Sequence, residues 1–83
     1  MKLPTKFHQH AQACYHGAVN RTLIASCINE AIEYCREHNI PLEADDCPPE
    51  IIVMLAQLTY LIGLPDVSLS DRYHEAIKAL GFV

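Results

Sequence analysis

The sequence is poor in most of what the large functional classes require. It has three glycines and no low-complexity run, while 51% of its residues are hydrophobic, which argues against a disordered chain. Its longest apolar stretch, residues 51–64, falls short of the ~20 residues a membrane span needs. Residues 1–10 run from Lys2 into a polar His-Gln-His segment rather than an apolar run, so no signal peptide is expected and a soluble, cytoplasmic protein is. No segment alternates apolar and polar residues with β-branched enrichment, so no strand is expected. Basic residues are few, six against ten acids, for a net charge of −4. Phosphate contacts supply most non-specific affinity for DNA, so this balance argues against duplex nucleic acid as the main partner. The charge is also uneven: residues 1–21 carry Lys2, Lys6 and Arg21 and no acid, whereas residues 22–83 hold all ten acids.

No catalytic constellation emerges. There are four cysteines (Cys14, Cys27, Cys35, Cys47) and five histidines, but no C-x-x-C and no close pair repeated at finger-like spacing. His10 with Cys14 and Cys35 with His38 have helical spacing that could hold two ligands of one metal, but nothing completes either set. Cys14, Cys27 and Cys35 fall on apolar stripes, where a free cysteine behaves as a small hydrophobe. Cys47 is the one thiol expected at a helix N-terminus, yet Asp45, Asp46 and Glu50 beside it oppose a thiolate. The expectation is therefore a non-enzymatic protein with no catalytic residues, no metal and no cofactor.

What is present is helical grammar. Pro4 suits a helix start. Phe7, Ala11, Cys14, Tyr15 and Ala18 form one stripe. Ile24, Cys27, Ile28, Ala31, Ile32, Tyr34 and Cys35 form another, out of phase with the first by roughly 120°. A break between Gly17 and Arg21, with Asn20 as N-cap, accounts for the shift better than one kinked helix. Asn39-Ile40-Pro41, Gly63-Leu64-Pro65 and Gly81-Phe82 repeat one type of stop, a left-handed residue followed by an apolar one. Asp46 or Cys47 is expected to cap the third helix, and Ser68 with Asp71 resembles a capping box for the fourth. The last helix faces Leu69, Tyr73, Ala76, Ile77 and Leu80 inward. The expected fold is all-α, a single-domain bundle of three to four helices at about 5–16, 20–38, 48–62 and 69–80. The first two remain open to being one kinked helix.

Residues 51–64 organise this bundle. On a helical wheel Ile51, Met54, Leu55, Leu58, Leu61 and Ile62 form a face sufficient for the core. Ile52, Val53, Ala56 and Tyr60 form a second apolar face, surplus in so small a protein and expected to be a homodimer or partner interface. The acidic set Glu43, Asp45, Asp46 and Glu50 is a candidate charged contact for a basic partner. Together these features point to a small acidic protein-interaction module that binds another protein and self-associates through its central helix. Size, acidity and the missing catalytic motif place it among small helical adaptors, inhibitors, immunity proteins and phage or plasmid accessory regulators. The alternative is a helix-turn-helix DNA-binding regulator using residues 54–81, with Ser68, Ser70, Arg72, His74 and Lys78 on the recognition helix. Asp71 and Glu75 beside them would weaken phosphate positioning.

Overall fold

In a computed structural model, described over residues 3–43, 46–64 and 67–83, the chain is a four-helix bundle. The helices are α1 (Thr5–Tyr15), α2 (Arg21–Glu37), α3 (Pro49–Leu61) and α4 (Val67–Ala79). No strand occurs among the described residues. The eight helix boundaries lie within about two residues of the expected ones, and residues 5–38 form two helices rather than one.

Four stops of one kind separate these helices. Each ends in a Schellman motif, in which the C″ amide donates to the C3 carbonyl and the C′ amide to the C2 carbonyl. The outer bonds are Ala18 to Ala13, Ile40 to Cys35, Leu64 to Thr59 and Phe82 to Ile77 (2.8–3.0 Å). The inner bonds are Gly17 to Cys14, Asn39 to Arg36, Gly63 to Tyr60 and Gly81 to Lys78. The C′ residue has positive φ every time, 72° at Gly17 and 55° at Asn39, which favours glycine or asparagine. Gly17 thus makes a fourth member of a series in which the sequence shows three plainly. It ends α1, and Asn20 then opens α2 by accepting a 2.9 Å hydrogen bond from the Leu23 amide.

Two expected caps differ. α3 has Pro48 at its N-cap and Pro49 in its first turn, with no side-chain cap; the proline pair supplies the stiff start that Asp46 or Cys47 was expected to provide. α4 begins at Val67, so Ser68 lies inside the helix and cannot cap it. Pro65, like Asp45, lies outside the described residues.

α3 is the hub. It packs against α1, α2 and α4, α1 touches α2 lightly, and α4 docks on α3 alone among the helices. The core holds Phe7, Ala11 and Cys14 from α1 and Ile24, Cys27, Ile28, Ala31 and Cys35 from α2. Ile51, Val53 and Met54 of α3 and Ala76 and Ile77 of α4 complete it, with Leu3 and Ile40 at its edge. Beyond α4 the chain folds back onto α1: the Phe82 ring lies 5.2 Å from His8 and 5.4 Å from Tyr15 between ring centroids. Lys6 on α1 forms an ion pair with Glu30 on α2, which holds the Glu30 carboxyl below its usual range.

Candidate functional site

The apolar surplus of α3 is arranged along the helix rather than around it. In its first turns Ile51, Val53 and Met54 are buried, whatever their angular position. From its middle onward most large apolar side chains emerge: Leu55, Tyr60, Leu61 and the C-cap Ile62 are exposed, while Leu58 stays half-buried against the core. The surface continues through the turn with Leu64 (68% exposed) and Val67 (82%). No charged residue occurs from Ile51 to Leu64. The end of the α3–α4 hairpin is therefore an apolar surface built from Tyr60, Leu61, Ile62, Leu64 and Val67, in which no described residue is charged; Asp66, between Leu64 and Val67 in the sequence, lies outside the described residues.

The four residues expected on the second face of α3 divide accordingly. Val53 is wholly buried (0% exposed), so it belongs to the core and not to a contact surface of the folded chain. Ile52 is half-buried in the seam with α4, beside Arg72, Glu75 and Ala76. Ala56 and Tyr60 do reach the surface, where they line a shallow depression of about 220 Å³ with Gln57, Thr59, Leu69, Ser70 and Tyr73. Leu55, Leu61 and Ile62, assigned inward on the wheel, point out instead. Their position in or near the last turns, beyond the buried first half of α3, separates them from Ile51 and Met54.

The acidic set divides too. Glu43 and Asp46 are exposed, and Asp45 lies outside the described residues. Glu50 is buried, at 8% exposed, so unlike Glu43 and Asp46 it is not a charge on the open surface. It lines a groove of about 840 Å³ at the N-terminal end of α3, where the start of α1, the Asn39–Pro41 turn and the end of α4 converge.

The thiols are sheltered. All four cysteines are free, three of them buried and Cys47 half-buried. Burial raises the Cys14 thiol from 9.0 to about 11, with Cys27 nearby adding to the shift. Burial likewise pushes up Cys27, Cys35 and Cys47; at Cys47 the Cys35 sulfur adds to the rise while Arg72 partly offsets it. The N-terminus of α3 therefore does not activate Cys47. At neutral pH the Cys14 shift alone means about a hundredfold less thiolate than in an unfolded chain. Iodoacetamide at pH 7.4 is expected to modify Cys47 slowly and the other three only in denaturant; rapid labelling of Cys14 in the native protein contradicts this burial. The folded chain binds more protons than the unfolded one between pH 9 and about 11, so stability present below pH 9 is lost as pH rises through that window. Melting curves of Cys14→Ala should fall less steeply there.

No cluster of three or more His, Cys, Asp or Glu positioned for a metal ion occurs among the described residues, and none of their helices is long and apolar enough to cross a membrane. His38, one half of a spacing that could hold a metal, stacks instead on Tyr34 at 4.1 Å. His74 meets the Ser70 carbonyl at 2.9 Å, while Asp71, Glu75 and Lys78 lie exposed on the same helix. Compared with known proteins, the chain matches no family model, no curated protein and no solved structure.

Proposed function

We propose that this chain is a non-enzymatic protein-interaction module, an adaptor, inhibitor or regulator of the cytoplasm, that self-associates through the apolar end of its α3–α4 hairpin. One observation carries the reading. Five large apolar side chains, Tyr60, Leu61, Ile62, Leu64 and Val67, are exposed between 40% and 82% from the last turn of α3 to the start of α4, with no described charge between them in the sequence. Exposed apolar surface of several hundred Å² marks contact sites on soluble proteins, and a standard interface buries about 800 Å² per partner. A second copy fits this surface on electrostatic grounds. The chain is acidic, so a two-fold contact elsewhere sets like charges against each other, whereas the described residues of the hairpin end bring none. Tyr60 is the natural anchor, being large, amphipathic and 73% exposed.

Light scattering at about 100 µM, a concentration that would populate a dimer with a Kd in the low micromolar range, tests the reading. The wild type should have twice the 9.3 kDa chain mass. Tyr60→Asp and Leu61→Asp should return it to the monomer with melting temperatures little changed. A wild type that stays monomeric at that concentration ends the self-association reading.

A further inference from the structure

We propose that the groove at the N-terminal end of α3 is a second binding site, which takes the cationic side chain of an arginine or lysine on a partner protein. It goes beyond self-association and lies at the opposite end of α3 from the hairpin surface. The carrying observation is Glu50. The residue is 92% buried, taken from its 8% exposure, and it lines the groove. No described side chain or backbone group forms a hydrogen bond or ion pair with it. The carboxylate nevertheless keeps access to the groove, because the His10 Nδ1 is the one fully buried side-chain polar atom without a partner among the described residues. A carboxylate taken this far out of water and given no partner of its own is a charge awaiting a counter-ion.

The rest of the groove selects the kind of counter-ion. Leu3, Ile40, Pro41, Pro48 and Leu80 supply apolar walls, and Asp46 adds a second negative charge. Among the described residues no lysine or arginine lines it. Lys6 is engaged with Glu30, and Arg72 lines an adjoining depression that shares Cys47, Pro49 and Ala79 with the groove but is not itself among the groove's lining residues. A helix N-terminus ordinarily attracts anions through its free amides. Here the N-cap and first helical residue are Pro48 and Pro49, which have no N–H to offer, and Glu50 and Asp46 repel an anion. A divalent metal ion needs several oxygen ligands in one shell, and no such cluster is present among the described residues. A guanidinium or ammonium on a hydrocarbon stem meets both requirements, with its charge against Glu50 and its stem along the apolar walls. The volume, about 840 Å³, falls within the range of ligand-binding clefts.

A titration of the isotope-labelled protein with N-acetyl-arginine methylamide, followed by amide chemical shifts, tests this. Shifts should concentrate at Thr5, His8, Asn39, Cys47 and Leu80 and saturate in the millimolar range. The neutral isostere N-acetyl-citrulline methylamide should bind at least about tenfold more weakly, the worth of one charge-assisted bond. Glu50→Gln should weaken the arginine probe by a similar factor. Asp46→Asn, at an exposed position that cannot endanger the fold, should weaken it about twofold. Equal binding of the neutral isostere, or wild-type affinity in Glu50→Gln, overturns the proposal. If Glu50→Gln does not fold, the isostere and Asp46→Asn decide it. Putrescine, an amine without flanking peptide, should bind no more tightly than the arginine probe; tighter binding overturns the assignment to a protein side chain. Light scattering on the same samples keeps the outcomes separate, because a failure in this groove leaves the mass of the self-associated protein unchanged.

Discussion

Val53→Asp should leave the protein largely unfolded at 25 °C, with its helical circular dichroism at 222 nm lost. Val53 sits in the first half of α3, the part that meets the rest of the bundle, and it is wholly buried. Truncating its apolar surface forfeits about 1.5–3 kcal/mol. Placing a carboxylate there without a partner adds several kcal/mol more, whether the group stays charged or takes up a proton. The whole stability expected of 83 residues is about 4–12 kcal/mol, so the substitution removes most or all of it. Tyr60→Asp is the matched control. It lies two turns further along the same helix, where the side chain is 73% exposed, and should change stability by no more than about 0.5 kcal/mol. The pair separates two arrangements of α3. If burial followed the angle around the helix, Val53→Asp and Tyr60→Asp would both give folded monomers. If burial follows the distance along it, the first unfolds and the second does not. A folded Val53→Asp protein with an unchanged melting temperature refutes the second arrangement.

That contrast also shows what the amino-acid pattern can carry. The helices were legible because their ends are written locally. An Asn or Gly followed by an apolar residue fixes each stop, and Asn20 fixes a start, within a few residues of chain. The inward stripes of α1, α2 and α4 were legible because polar residues mark their outer faces, as Asp71, His74 and Lys78 do on α4. α3 has no such marks. With Gln57 and Thr59 as its clearly polar residues after Glu50, a wheel assigns two faces where the bundle makes two ends. Which half of α3 is covered depends on how α1 and α2 pack against it, and that is a long-range property. Glu50 was misplaced for the same reason. After two prolines an acid reads as a favourable first-turn charge on the surface. Its burial comes from Leu3, Leu80 and the Asn39–Pro41 turn meeting around it, segments that lie up to 47 residues away in the chain, counting from Leu3 to Glu50.

Phe7→Ala should lower stability by about 3–5 kcal/mol, the usual cost of deleting a buried aromatic ring, and the melting temperature by roughly 15–30 °C for a chain of this size. α1 contributes three buried residues of its own to the core, and two of them, Ala11 and Cys14, are small. Phe7 is therefore its one large anchor. The ring is wholly buried, tilted against Tyr34 of α2 at 5.6 Å and edge-on to His10 at 6.1 Å. The loss reaches function unevenly. α1 carries Thr5 and His8 and follows Leu3, three of the walls of the groove around Glu50, and its His8 and Tyr15 hold Phe82. The hairpin surface of α3 and α4 depends on neither. At a temperature where Phe7→Ala is still mostly folded, α1 should show the fastest amide exchange of the four helices. The arginine probe should lose affinity there, while self-association through Tyr60 and Leu61 persists. Phe7→Leu, which keeps most of the buried volume and gives up the ring contacts worth about 0.5–1.5 kcal/mol, should restore most of the stability and the groove with it. A Phe7→Ala protein that melts within about 5 °C of wild type would mean that α1 is held by Phe82 and the Lys6–Glu30 pair rather than by its core. For one exposed ion pair and one half-buried ring, that would require far more than such contacts ordinarily supply.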